Sequence, residues 1–322
     1  MAQCERVTPV HRIEFDVDWP PGHVASFLVE CDEPTLVDAG MAGAGGETRL
    51  RETLADAGHD LADVEHLVLT HPHVDHIGYV NTVIEAADPT LHVPAGVRDR
   101  FARDPDDLGS AVRRTARAAG LTGEDLDGAV DVAVESLERN RTLLPVEAVD
   151  VWIEGGATYD VGGTTVEAVH TPGHQADHCC FAVELGDERA LLAGDMAIEP
   201  FRPVVLHSGL DRGVENAIDA FHDALDRLAD LDPDRVYPGH GPVHTEFDRV
   251  IERDRRSLDR LLDRTEARLD DDHRTAAAIA DARAGGDSTY VLPEVVAALR
   301  HLDAHGRVEA DRVDGVAHYH AR

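Results

Sequence analysis

The sequence predicts an α/β layered protein. Short apolar runs of strand length alternate with helical patterns, sheet-like segments recur in both halves, and one strand runs straight into a cluster of histidines. Val24 to Glu30 and Thr35 to Val37 read as strands, the second ending in Asp38-Ala39-Gly40, and Glu47 to Ala57 has helical spacing. Glu65 to Thr70 is a short apolar strand leading directly into His71, so the following residues sit at the carboxyl end of a strand, a usual place for a site. From Gly96 to Arg141 the spacing of Ala, Arg, Leu and Val predicts two or three helices and no strand, an inserted cap bounded at about 96–145. Strands return at Val151 to Glu154, Thr158 to Val161, Thr165 to His170, His178 to Glu184 and Arg189 to Ala193, separated by glycine or charged turns. Gly213 to Ala229 is an amphipathic helix, followed by a strand at Arg235 to Tyr237 and the turn Pro238-Gly239-His240-Gly241, so the two halves share a plan.

After Phe247 the pattern becomes a long charged helix to about Asp270, then helices at Thr275 to Ala282 and Pro293 to His305. A hairpin from Val308 to Tyr319 follows, turning at Asp314-Gly315. Three helices and a hairpin are the order of a winged helix, which divides the chain into 1–247 and a small C-terminal domain, 248–322. Acidic and basic residues nearly cancel in this tail. It is therefore read as a packing or homodimerisation appendage in preference to a DNA-binding one.

The 322 residues, 43% of them hydrophobic, supply a sizeable core. Acidic residues number 63 against 30 basic ones, for a net charge of −33, and every basic position is arginine. Nucleic acids and anionic membranes need clustered cations, so this field disfavours both and leaves a small molecule as the expected partner. Like-charge repulsion is screened within about 3 Å in molar salt. An aspartate-rich, lysine-free surface therefore fits a salt-loaded, halophilic cytoplasm. Cys4, Cys31, Cys179 and Cys180 are too few and too irregular for a disulfide scaffold. With no apolar run at Met1 to Val10 and none of about 18 residues elsewhere, a cytoplasmic protein is expected.

The strongest chemical signal is His71-Pro72-His73-Val74-Asp75-His76, four metal-ligating side chains in six residues. Residues two apart in an extended segment point the same way, so His71 and His73 can converge on one ion. The turn into the next helix then brings Asp75 and His76 towards a second ion. Imidazole with carboxylate suits zinc, with iron or manganese as alternatives. Further ligands must come from other strand ends, and three candidates follow a strand and a glycine: His174, Asp195 and His240. The glycine lets the backbone turn sharply and approach an ion closely.

In order and in local wording these segments resemble the metallo-β-lactamase superfamily from about Val24 to His244, and within it the glyoxalase-II-like hydrolases. The helical insertion and the tail resemble a subgroup of those hydrolases. The resemblance implies a four-layered αββα sandwich holding two divalent ions. By position, His71, His73 and His174 would hold the first ion, Asp75, His76 and His240 the second, and Asp195 would bridge them. Asp38 matches an aspartate that supports the site from behind. Ser26 departs from the pattern, standing where many members have asparagine. Members that hydrolyse β-lactam antibiotics often use cysteine where this chain has Asp195, which disfavours that activity.

Two such ions share one water and lower its pKa to about 7, so hydroxide attacks without a side-chain nucleophile. A thiolate leaves with little proton donation because its pKa is about 8.5, which favours a small thioester or a related ester or lactone. Alkoxide leaving groups would need a proton from Asp75, a histidine or water. Rival readings are a phosphodiesterase or ribonuclease, which overall acidity disfavours, and a one-ion iron oxygenase, disfavoured by His76, Asp195 and His240 together. A metal-sensing, DNA-binding regulator is the non-enzymatic rival. His178 reads as a structural histidine on a strand, and Cys179 and Cys180 as small buried hydrophobes. His23, His207 and His244 lie in loops near the expected pocket.

Overall fold

The computed structural model describes residues 8–207, 209–211, 217–270, 272–285, 288 and 290–322. Cys4 and the first four residues of the helix expected from Gly213 lie outside the described residues. Two sheets face each other. The first has the order β1 (Val10–Asp16), β2 (His23–Val29), β3 (Thr35–Val37), β4 (His66–Val68), β5 (Thr90–Pro94), β6 (Val151–Ile153), antiparallel up to β3 and parallel beyond it. The second comprises β7 (Thr158–Val161), β8 (Thr164–His170), β9 (Cys179–Leu185), β10 (Glu188–Gly194) and β11 (Arg235–Pro238), antiparallel except for the β10–β11 pair.

Alternation along the strands decides which residues fill the space between the sheets. Ala25, Phe27 and Val29 of β2 meet Phe181 and Val183 of β9 and Leu192 of β10 there. The opposite faces are covered by helices. Over the first sheet, α1 (Gly46–Asp56) and α2 (Val80–Ala87) bury Leu50, Leu54, Val80 and Val83 against Leu28, Leu36 and Leu67. Over the second, α6 (Ala217–Ala229) buries Phe221 and Leu225 against Leu191 and Ala193. The layers are thus helix, sheet, sheet, helix, as the resemblance implied.

The expected cap is three helices, α3 (Gly96–Phe101), α4 (Pro105–Ala119) and α5 (Gly123–Leu143). Asp104 starts α4 by accepting from the N–H groups of Asp106 and Asp107, with Pro105 pre-set at the first helical position. Val97, Phe101, Val112 and Leu137 join the core of the first sheet, while Ala119 joins that of the second, so the cap straddles one end of the sandwich.

The C-terminal segment is α7 (Phe247–Glu266), α8 (Ala276–Ala284), α9 (Val291–Ala304) and a hairpin of β12 (Val308–Val313) and β13 (Val316–Ala321). Asp314 and Gly315 both have positive φ, 51° and 88°, the two-residue turn expected there. Leu258, Ile279, Leu299, Val308 and Tyr319 share one apolar cluster with Phe221 of α6. The residue at the expected 247/248 boundary begins α7. Three elements have no counterpart in the sequence reading: β1, α2 and β5. Edge strand β1 carries His11, Arg12 and Glu14 among its apolar residues, and α2 and β5 have only 8 and 5 residues, too few to show a period.

Candidate metal centre

The carboxyl ends of β4, β8, β10 and β11 all open at the same edge of the sandwich, and each delivers side chains to it. The chain leaves β4 through Leu69 and Thr70 and passes His71 to His76 in a turn closed by the His76 N–H donating to the His73 carbonyl at 3.0 Å. His174 follows β8, Asp195 follows β10 and His240 follows β11. The structure brings all seven predicted residues together. The ligand atoms of His71, His73, His174 and Asp195 lie within 4.8 Å of one another, as do those of Asp75, His76 and His240.

Asp195 connects the two groups. Its Oδ2 lies 3.1 Å from His174 Nε2 and 3.5 Å from His240 Nε2, and its Oδ1 lies 3.2 Å from His76 Nε2. His240 Nε2 is 3.3 Å from Asp75 Oδ2, and His73 Nδ1 is 3.1 Å from His174 Nε2. Ligands around one ion at about 2.0–2.1 Å bonds sit near this spacing.

The orientation of the rings explains why these nitrogens converge. His76 Nδ1 lies 2.8 Å from Asp38 Oδ2, His240 Nδ1 2.7 Å from the His23 carbonyl, and His174 Nδ1 3.1 Å from the Val204 carbonyl. Each such acceptor requires an Nδ1–H donor and leaves the Nε2 lone pair facing the cluster. For His71 the partner is the Thr70 hydroxyl at 3.0 Å, which itself donates to Asp38 Oδ2 at 2.8 Å. Asp38 also accepts from the Thr70 N–H at 2.8 Å, so this one carboxylate orients both His71 and His76. The atoms left over are the informative ones: His71 Nε2, His76 Nε2 and Asp195 Oδ1 are buried with no hydrogen-bond partner. Buried polar atoms are normally satisfied, and a cation is the partner that lone pairs alone can take.

Glycines fit the geometry as the sequence reading expects. Gly194 has φ +50°, and a Cβ there would stand 2.5 Å from His178 Nε2, while one at Gly239 would stand 2.7 Å from His76 Cε1 and 2.8 Å from Asp195 Oδ1. The electrostatics are those of a densely packed donor set. Burial, reinforced by neighbouring histidines, holds His71 well below its usual pKa and lowers His73 to about 3. Burial also opposes charge on His76 and His240, but Asp195 and the other carboxylates outweigh it and raise both. Burial resists ionisation of Asp195, yet His240, His76 and His174 keep its carboxyl well below the ordinary range. A divalent cation would displace the protons on His76 and His240, so ion binding here releases protons.

Other residues of the site were less legible. His178, read as structural, is fully buried; its Nε2 accepts from the Asp195 N–H at 3.0 Å and its Nδ1 is 2.7 Å from the Thr171 hydroxyl. It thereby holds the backbone of the connecting carboxylate. Asn140 of the cap donates to the Pro72 carbonyl at 2.8 Å, and Arg100 to Asp177 at 2.6 Å, tying the cap to both ligand loops. Thr70 could have been found from sequence as a polar residue ending an apolar strand, but Asn140 lies 68 residues from its partner and had no such signal. The His207 backbone N–H donates to the His174 carbonyl, and His244 donates from Nε2 to the Ala197 carbonyl at 2.8 Å. Cys179 and Cys180 are buried, and burial pushes the Cys179 thiol up to about 12 and the Cys180 thiol up as well. Ser26 is fully buried on β2, its hydroxyl without a partner. Among the described residues, no helix is long and apolar enough to cross a membrane.

Comparison with known proteins agrees with this architecture. The chain is 26% identical over 226 residues to a beta-lactamase-like protein 2 homolog of Caenorhabditis elegans, which covers 70% of this chain and 54% of that protein. It is 26% identical over 218 residues to the thioesterase pkgB of Emericella nidulans, covering 68% and 45%. The chain thus spans about half the length of these two relatives. A metallo-beta-lactamase family protein of Thermus thermophilus superposes with a TM-score of 0.78 at 24% identity, covering 97% of this chain and 98% of that one, so the shared fold includes the C-terminal segment. The family profile described as Metallo-beta-lactamase superfamily matches residues 19–240, and the chain belongs to that superfamily.

Proposed function

We propose that this protein is a hydrolase that holds two divalent metal ions, zinc in the first instance, and cleaves a small thioester or a related ester or lactone. The observation that carries the reading is the convergence of seven side chains, three of which, His71, His76 and Asp195, bury a ligand atom that has no hydrogen-bond partner. His71, His73 and His174 would hold one ion, Asp75, His76 and His240 the other, with Asp195 shared between them. When bound, such ions lower the pKa of water to about 7 and polarise a carbonyl oxygen. The chain's own residues do the rest. Asp38 and Thr70 fix the tautomers of His71 and His76, and His178 holds Asp195 in place. Asp75, with Oδ2 3.3 Å from His240 Nε2 and its carboxyl held, against burial, below the ordinary range by His76 and His240, is ionised as a ligand must be, so a poorer leaving group would take its proton from water.

The thioester preference rests on the leaving group, since a thiolate needs little protonation. A relative named as a thioesterase supports it. The net charge of −33 makes polyanionic substrates unfavourable. The segment after residue 247 serves packing in this reading. The test is a hydrolysis screen over acyl thioesters, lactones and phosphodiesters in molar salt with zinc, iron or manganese supplied. Turnover of thioesters or lactones with none of phosphodiesters is expected; turnover confined to phosphodiesters would overturn the substrate assignment.

A further inference from the structure

A third group of metal-ligating side chains lies away from the centre described above, where the first turn of α6 meets the end of α9. Asp219 comes from α6, and His301 and His305 from α9. A spacing of four puts the two histidines one turn apart on the same side of the helix, and their rings stack at 4.0 Å between centroids. Their ligand atoms and an Asp219 oxygen all lie within 4.8 Å of one another.

Two features separate this trio from an ordinary surface ion pair. His305 Nδ1 is 2.9 Å from the His301 carbonyl, which requires an Nδ1–H donor and leaves the Nε2 lone pair facing Asp219 Oδ1 at 3.9 Å, too far for a hydrogen bond. That backbone anchor is the one that metal-binding histidines commonly use. His301 Nδ1 lies 3.1 Å from the same Asp219 oxygen, yet it is buried without a hydrogen bond of acceptable geometry. The two nitrogens, at 3.1 and 3.9 Å from one Asp219 oxygen, bracket the roughly 3.4 Å edge of a tetrahedron with about 2.0–2.2 Å bonds. Burial lowers the pKa of His301, which favours the neutral ring a metal requires.

We propose that Asp219, His301 and His305 form a separate site for a first-row divalent cation of the zinc class, with water completing the coordination. The ion fastens the start of α6 to the end of α9, and so the sandwich to the C-terminal segment. It touches no residue of the main centre and takes no part in turnover.

The test is a zinc titration of the full chain in competition with a chromophoric chelator, combined with thermal unfolding. The wild type is expected to bind one equivalent more than His305→Ala, with affinity at that site falling at least about tenfold. His305 is 53% exposed at the side chain, so its replacement leaves the fold unstrained. Asp219→Asn should lose the same equivalent, whereas Asp195→Ala should keep it, which separates this site from the proposed main centre. Zinc should raise the melting temperature of the wild type more than that of His305→Ala. Equal zinc uptake and equal thermal shifts in wild type, His305→Ala and Asp219→Asn would overturn the proposal and leave the trio as an ion pair between helix ends.

Discussion

The strand ends of the sandwich and the C-terminal helices both contain carboxylates and histidines in close company, but they treat them differently. At the strand ends Asp195 is buried among His76, His174 and His240, and these partners overcome burial to keep it ionised. On α7, Asp254 is equally hidden, with Arg253 and Glu199 as its charged neighbours, and burial raises it to about 7. The difference teaches that burial alone does not set the state of a carboxylate; the number and placement of donors do. It also separates the two regions by purpose. In the first, rings are anchored from behind by Asp38, Thr70 and backbone carbonyls, leaving lone pairs forward. In the second, charged groups mostly close salt bridges, as Glu294 does with Arg202 and Arg283.

The two regions touch at the loop after Asp195. Arg253 of α7 donates to Glu199 at 2.9 Å and to the Ile198 carbonyl at 2.6 Å, and Glu294 of α9 accepts from Arg202 at 2.6 Å. The C-terminal segment thus holds the loop that follows the connecting carboxylate.

The largest expected effect comes from removing that carboxylate. Asp195→Ala should lower turnover of any true substrate by about a thousandfold or more while circular dichroism stays native, because the group proposed to be shared by both ions is gone. Retained turnover would erase the distinction between the regions. Next is the support behind the rings. Asp38→Asn should weaken metal binding about 10- to 100-fold by chelator competition, since the orienting charge on His71 and His76 is lost. Asparagine tolerates the positive φ of 58° at this position, so the backbone is not strained.

The smallest effect concerns Asp254. Its folded pKa, about 7, lies above the unfolded value, so the native state holds a proton there that the unfolded state releases. Its contribution to stability is complete below the unfolded pKa near 4 and is lost as pH rises through about 7. In denaturant titrations at fixed salt, wild type should lose stability relative to Asp254→Asn between about pH 4.5 and 8, by at most about 4 kcal/mol. A pH-independent difference would mean that Asp254 is already ionised inside the fold.

Much of the centre was legible in the sequence because its residues obey local rules. His71 to His76 are contiguous at a strand end, and His174, Asp195 and His240 each follow a glycine whose Cβ has no room or would strain the turn. The strand-length runs showed an α/β layered protein and the family resemblance supplied the αββα order, but β1, α2 and β5 escaped notice because charged edge positions and short lengths blur the period. Contacts that close over long stretches of chain were beyond reach for a different reason. Asn140 to Pro72, His178 to the Asp195 N–H, and the meeting of Asp219 with His301 and His305 are products of packing, and no spacing encodes them.

The two-ion centre is tested most directly by anomalous diffraction at the zinc edge from crystals of the zinc-loaded protein. Two peaks are predicted at the strand ends, one bonded to His71, His73 and His174, the other to Asp75, His76 and His240, with Asp195 reaching both. A single peak at the strand ends, or peaks there bonded to other residues, would contradict it.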